Sequence, residues 1–102
     1  MSLEVLDLQP AHLAVVRNIL AKQVPGCQAW AFGSRVKGTA ERFSDLDICL
    51  SAEQPLNYEE KANLQLAFSE SDLPFVVDIV DLKRCSPAFA RDVVGARLAL
   101  TH

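Results

Sequence analysis

The chain has 102 residues, 50% of them hydrophobic, which suits one small domain with a single core, and we expect residues 1–102 to form it. A formal net charge of −3 and a pI near 5.2 argue against a protein that holds nucleic acid by bulk electrostatics, because such domains carry basic patches. Three cysteines without a CxxC pair disfavour zinc or a disulfide framework, and no signal peptide or membrane-spanning apolar run is present. These features predict a cytoplasmic protein that contacts neither nucleic acid nor membrane.

The first part of the chain predicts a helix followed by a short strand. Apolar residues at helical spacing run over residues 8–24, and Pro25-Gly26 ends that helix. An apolar run at residues 27–32 then predicts the first strand, which stops at Gly33. These elements are ordinary core-forming segments and suggest no chemistry of their own.

A Gly-Ser turn with basic neighbours follows the first strand. Gly33 lets the backbone approach a ligand closely, and Ser34 offers a hydroxyl and an amide to phosphate oxygens. Arg35 and Lys37 add positive charge close by. The turn is not a P-loop, because the GxxxxGK[ST] spacing is missing. Alone, it is no more specific than any Gly-Ser turn.

The second predicted strand, residues 45–50, carries two aspartates one residue apart. Its even-numbered residues are leucine or isoleucine and should face a core, so Asp45 and Asp47 project together from the opposite face. Two carboxylates about 5 to 6 Å apart repel by roughly 3 kcal/mol at an effective dielectric near 20. An isolated DxD is more often a turn cap followed by an exposed edge residue, so its meaning depends on the residues around it.

The rest of the chain predicts two helices and a third strand. Residues 58–69 read as a helix with an imperfect apolar pattern, and residues 75–82, FVVDIVDL, as a strand rich in β-branched residues. Asp78 is expected mid-strand among apolar neighbours, where an unpaired carboxylate is costly and therefore usually functional, paired or metal-bound. Asp81 is expected to be solvated at the strand end. A last helix, from a Ser-Pro start at residue 86 to Leu98, completes the pattern.

These polar residues meet at one corner if the first two strands are antiparallel neighbours and the third lies alongside. The three carboxylates would then repel by several kcal/mol, and a divalent cation reverses that repulsion. Hard oxygen ligands suit Mg²⁺, which keeps waters and shares its coordination with substrate phosphates. Two such ions could clamp an in-line displacement at phosphorus. The residues therefore predict phosphoryl or nucleotidyl transfer.

The combined motif GSRVKG, SDLD and VDIVDL resembles that of the nucleotidyltransferase superfamily of DNA polymerase beta. Within it, the chain resembles the minimal nucleotidyltransferase, or MNT, proteins of bacteria and archaea, over nearly its whole length. The resemblance implies an α/β (α+β) fold with a mixed, mainly antiparallel β-sheet flanked by helices.

The resemblance also implies roles for individual residues. It assigns magnesium ligation and catalysis to three carboxylates: Asp45, Asp47 and Asp78. It assigns the binding of the nucleotide phosphates to the Gly33-Ser34 turn. Arg35 and Lys37 add positive charge beside that turn. The family often has arginine at the position of Lys37, and lysine keeps the charge but loses the bidentate fork.

Two hypotheses about function follow from this resemblance, because MNT proteins are commonly antitoxins of a HEPN-domain ribonuclease toxin and members transfer AMP from ATP to a toxin tyrosine. In the first, the chain is a magnesium-dependent nucleotidyltransferase that adenylylates a hydroxyl of its partner, with Asp78 as the best candidate for a general base. In the second, it is a non-catalytic module that neutralises the toxin by binding it. The complete set of carboxylates and the Gly-Ser pair favour the first. Transfer to a small molecule such as an aminoglycoside is disfavoured because no acceptor-binding domain follows.

Overall fold

The computed structural model describes residues 8–33, 45–94 and 98–100. The helices are α1 (Pro10–Gln23), α2 (Tyr58–Ser69) and α3 (Pro87–Val94). The strands are β1 (Gln28–Phe32), β2 (Leu46–Ser51), β3 (Val77–Asp81) and β4 (Leu98–Ala99). No helix within these ranges is both long enough and apolar enough to span a bilayer.

The four strands form one mixed sheet in the order β3-β2-β1-β4. Strand β1 is antiparallel to both of its neighbours, β2 and β4, whereas β2 and β3 run parallel. The parallel pair is possible because α2 forms the crossover between its two strands. The predicted mixed, mainly antiparallel sheet flanked by helices is confirmed.

The core lies between one face of the sheet and helices α1 and α2. The even-numbered residues of β2 are at most 1% exposed, as their alternation predicted. From the helices, Val16 and Leu20 of α1 and Leu64 and Phe68 of α2 join the same cluster. Full burial of one such side chain contributes roughly 1.5 to 3 kcal/mol, so this face holds the sheet and the two helices together.

Helix α3 contacts the other face of the sheet. The ring of Phe89 meets that of Phe32 edge to face, with centroids 6.0 Å apart. Phe32 lies opposite Asp47 in the ladder, so the contact is on the carboxylate-bearing face. At the start of the helix, Ser86 Oγ accepts a hydrogen bond from the backbone N–H of Phe89 at 3.2 Å, as expected of the predicted N-cap ahead of Pro87.

Strand β4 was not predicted, and the assignment of Leu98 to the last helix is wrong. The helix ends at Val94, and Leu98 lies opposite Ala31 of β1. Two residues further on, the backbone N–H of Leu100 donates a hydrogen bond to the carbonyl of Ala29 at 2.8 Å. The spacing of apolar residues fitted a continued helix, but pairing with a strand about seventy residues earlier leaves no local signal.

Candidate active site

Two of the three predicted catalytic carboxylates lie side by side on the sheet. Asp47 in β2 is directly opposite Asp78 in the parallel strand β3, and on its other side it pairs with Phe32 at the end of β1. Paired residues share a face, so both carboxylates project from the face opposite the main core. Asp45 immediately precedes β2 and is exposed. The structure therefore brings Asp47 and Asp78 together, with Asp45 one pleat away.

Asp78 itself is less buried than expected. Strand β3 is the edge of the sheet, and the Asp78 side chain is exposed, as is that of Val76 on the same face. The expectation of a costly mid-sheet carboxylate among apolar neighbours is wrong, because a sequence run of β-branched residues does not distinguish an edge strand from a central one. The carboxylate that burial does affect is Asp47.

Burial raises the pKa of Asp47, and the negative charges of Asp78 and Asp45 raise it further. All three effects penalise the ionised form, and the last two require the carboxylates to be close to one another. A divalent cation would reverse them, because it favours the ionised form of every ligand. The surroundings of Asp47 would therefore favour a cation beside its carboxylate.

The donor chemistry of these residues fits Mg²⁺, although their side chains do not enclose a metal position. Within the described ranges, no three His, Cys, Asp or Glu side chains form a ready metal cluster. Mg²⁺ commonly takes only one or two protein carboxylates and completes its shell with water and substrate phosphates. Asp47 and Asp78, with Asp45 beside them, could supply that share.

The turn that follows β1 lies against the same carboxylate. Gly33 has a φ of 81°, and a Cβ built on it would overlap Asp47 Oδ2 and lie 3.2 Å from Asp47 Cγ. The predicted phosphate-binding turn therefore begins beside Asp47. The other predicted nucleotide-binding residues, Ser34, Arg35 and Lys37, lie outside the described residues.

Asp81 was expected to be solvated, and that expectation is wrong. Its side chain is only 5% exposed, because its position opposite Leu50 places it on the core face. Its carboxylate accepts hydrogen bonds from the backbone N–H groups of Leu56 at 2.8 Å and Lys83 at 2.9 Å. Arg84 donates to the carbonyl of the same Leu56 through Nε and Nη2, at 3.1 and 3.0 Å. Asp81 and Arg84 therefore fasten the loop after β2 to the end of β3.

Two surface cavities lie away from the carboxylates. They have volumes of about 510 and 670 Å³ and share the Val24–Cys27 segment, at the end of β1 opposite Gly33. Neither is lined by Asp45, Asp47 or Asp78. Among the described carboxylates, Asp45 and Asp78 are exposed and Asp47 is partly exposed, so the chemistry of these side chains identifies the candidate site.

Sequence reasoning missed the aromatic residues of the carboxylate-bearing face. Phe89 of α3 is 40% exposed and contacts Phe32 next to the Gly33 turn. The helix N-cap was a usable signal for α3, but nothing local indicated that the helix crosses the carboxylate face.

The chain belongs to the polymerase beta nucleotidyltransferase family, whose model matches residues 4–100. This confirms the resemblance drawn from the motifs. Among curated proteins, the chain is 46% identical over 89 residues to the probable protein adenylyltransferase MntA of Haemophilus influenzae, covering 87% of this chain and 77% of the relative.

Solved structures of toxin–antitoxin complexes share the fold. A toxin–antitoxin with AMP-PNP contains a chain 29% identical to this one, with a TM-score of 0.76, covering 87% of this chain and 72% of that one. A mutant MntA–HpeT toxin–antitoxin matches at 27% identity and a TM-score of 0.75, with the same coverage.

Proposed function

We propose that this protein is a magnesium-dependent protein adenylyltransferase that transfers AMP from ATP to a tyrosine hydroxyl of a HEPN-domain toxin, and that it acts in the cytoplasm as the antitoxin. The observation that carries the proposal is the placement of Asp47 opposite Asp78, with Asp45 one pleat away and the Gly33 turn against the Asp47 carboxylate. The relative named as an adenylyltransferase and the toxin–antitoxin complex with an ATP analogue support it.

The roles of the residues follow from their chemistry. Asp45, Asp47 and Asp78 are the proposed ligands of up to two Mg²⁺ ions, which when bound would neutralise the phosphates and the developing charge of the leaving pyrophosphate. Ser34, Arg35 and Lys37 are proposed to bind the triphosphate together with the backbone of the Gly33 turn. The protein supplies position and charge, which is what phosphoryl-type transfer requires.

The reaction replaces one phosphorus–oxygen bond by another. The acceptor hydroxyl oxygen bonds to the α-phosphorus of ATP while the bond from that phosphorus to the β-phosphate bridging oxygen breaks, and pyrophosphate leaves. Asp78, exposed at the sheet edge, is the proposed general base that takes the hydroxyl proton on a carboxylate oxygen.

The exposure of the site favours a protein as acceptor. Asp45 and Asp78 are exposed, so a side chain carried by another protein can reach them. A small acceptor needs a concave pocket that buries most of its surface, whereas a tyrosine on another protein brings its own surroundings. The exposure of Asp45 and Asp78 suits the second kind of acceptor.

Intact-mass spectrometry tests the proposal. The protein is incubated with ATP, Mg²⁺ and its HEPN partner, beside the double variant Asp45→Asn/Asp47→Asn and a control variant, Asp72→Asn, which changes an exposed aspartate outside the site. We expect one or more AMP additions to the partner with the wild type and with Asp72→Asn, and none with the double variant. A stable complex without any mass gain would instead support neutralisation by binding alone.

A further inference from the structure

Gly33 lies in contact distance of a proposed metal ligand. It follows Phe32, the residue that pairs with Asp47, and a Cβ on Gly33 would overlap Asp47 Oδ2. The same Cβ would lie 3.2 Å from Asp47 Cγ, which is closer than ordinary van der Waals contact. It would lie 3.5 Å from Asp47 Cβ, which is an ordinary contact. The atom that a side chain at this position would meet first is therefore the carboxylate oxygen itself.

A second glycine separates backbone conformation from this steric effect. Gly26 has the same φ of 81° as Gly33, but a Cβ on Gly26 would meet nothing within 4 Å. A positive φ is enough to explain a glycine at residue 26, because other residues pay a conformational penalty there. At residue 33 the conformation and the missing side chain are both required.

Asp47 can make room for a side chain on Gly33 only by turning its own side chain. Its backbone cannot shift, because it belongs to β2, which is paired on both sides, and its neighbours Leu46 and Ile48 are fully buried. The carboxylate would have to rotate away from β1, and the next strand on that far side carries Asp78 directly opposite. A side chain at residue 33 would therefore drive one carboxylate towards another.

We propose that Gly33 is a positioning residue for Asp47: the space left by its missing side chain is the space in which the Asp47 carboxylate stands. This role is distinct from the contact with nucleotide phosphates that the family resemblance implies. Its use in metal binding rests on the proposed function, whereas the steric pairing of Gly33 with Asp47 does not. Metal sites lose affinity when the groups that orient a ligand are changed, so the proposal predicts a metal-binding defect.

The first test is a double-mutant cycle on the metal-free protein, with urea unfolding in EDTA as the measurement. Gly33→Ala should lower the urea midpoint more than the matched control Gly26→Ala, since only the former adds a clash to the strain. In an Asp47→Ala background, the extra loss of urea midpoint in Gly33→Ala over Gly26→Ala should vanish, because the carboxylate is gone. In an Asp47→Asn background it should persist, because asparagine has the same shape.

Rescue decides the case in which Gly33→Ala does not fold. The double variant Gly33→Ala/Asp47→Ala should then fold, because removing the Asp47 carboxylate removes the obstacle. An equal excess loss at residue 33 in the wild-type and Asp47→Ala backgrounds, or no rescue of folding, would overturn the proposal.

The second test measures metal binding directly, by titrating the protein with Mn²⁺ alone and following the electron paramagnetic resonance signal of the free ion. Gly33→Ala should weaken Mn²⁺ binding at least roughly tenfold, whereas Gly26→Ala should leave it within about a factor of two. If Gly33→Ala binds Mn²⁺ like the wild type and loses only AMP-PNP binding, the role of Gly33 is nucleotide contact and the proposal is wrong. Failure of the wild type to transfer AMP would contradict the proposed function alone, since the urea cycle involves neither metal nor nucleotide.

Discussion

Asp47 and Asp81 are aspartates on neighbouring strands with opposite energetic roles. Burial and the charges of Asp78 and Asp45 disfavour the ionised form of Asp47, which projects from the carboxylate face. Asp81 projects into the core face, where the N–H groups of Leu56 and Lys83 donate to its two oxygens. The first aspartate is held at a cost that a bound cation would remove, and the second holds the fold together.

At Asp47, substitution by asparagine should abolish AMP transfer while leaving the metal-free protein as stable as the wild type or slightly more stable. The folded-state pKa of Asp47 is raised, so the folded protein binds this proton more tightly than the unfolded chain does. The stabilisation associated with that proton is present at low pH and is lost as pH rises through the folded pKa. The stability of Asp47→Asn relative to the wild type should therefore increase as pH rises.

Urea unfolding in EDTA across a pH series checks this expectation. The gain at neutral pH should stay below about 1 kcal/mol, because Asp47 is partly exposed to solvent. Asp72→Asn is the control and should show neither effect. Retained AMP transfer in Asp47→Asn would contradict the catalytic assignment, and a stability gain that grew towards low pH would contradict the electrostatic one.

Asp81→Ala should destabilise the protein by about 3 kcal/mol. The substitution removes the acceptor of two backbone N–H groups, one of them in a buried hydrogen bond, and hydrogen bonds to a charged group contribute roughly 1.5 to 3 kcal/mol each. Comparison of urea midpoints with Asp72→Ala, an exposed aspartate, measures the effect. A loss no larger than in that control would mean that the Asp81 contacts do not stabilise the loop after β2.

Helix α2 shows how local capping and distant packing combine in one element. Asn57 Oδ1 accepts from the N–H of Glu60 at 2.7 Å, and Glu60 Oε1 accepts from the N–H of Asn57 at 3.0 Å, which completes a capping box. The cap sets where the helix begins, and Leu64 and Phe68 then reach the core. Because only Leu64 and Phe68 of this helix are buried, the start of the helix depends on its cap.

Asn57→Ala should lower the free energy of unfolding by about 1 kcal/mol, because the loss of an N-cap side chain leaves a helix N–H without its partner. Asn63→Ala, an exposed position inside the same helix, is the matched control and should be neutral or stabilising, because alanine is the better helix former. Thermal unfolding of both variants is the measurement. Equal losses in the two variants would contradict the capping argument.

At the scale of the whole molecule, stabilising contacts lie at one end of the β2–β3 pair and the candidate catalytic carboxylates lie towards the other. The Asp81–Arg84 contacts fasten the end of β3 and the loop after β2, while the carboxylates lie at the opposite end of that strand pair. A ligand that binds the carboxylates should therefore stabilise the folded protein without changing the Asp81–Arg84 contacts.

AMP-PNP together with Mg²⁺ should raise the melting temperature of the wild type. A ligand present at about 100 times its Kd stabilises the state that binds it by about 2.7 kcal/mol. The increase should be absent in Asp45→Asn/Asp47→Asn, and much smaller when EDTA replaces Mg²⁺. Differential scanning fluorimetry measures it, and an equal increase in the double variant would show that these carboxylates do not hold the metal–nucleotide complex.

The sequence by itself determined the features that depend on neighbouring residues. Alternation in β2 placed Leu46, Ile48 and Leu50 in the core and sent Asp47 to the opposite face, because successive strand side chains point to opposite sides. A Ser-Pro pair located the start of α3 at Pro87, and the three motifs together indicated the family. Periodicity, capping and motif spacing are all local, so one sequence is enough to read them.

Only the tertiary structure decided the features that depend on which strands meet. It placed Asp78 on an edge strand, buried Asp81 against a loop more than twenty residues away, and paired Leu98 with β1. It also brought Gly33 against Asp47, so that one missing side chain leaves space for another residue's carboxylate. These outcomes follow from strand order and register, which are set by packing across the whole chain and leave no periodic trace within a single segment.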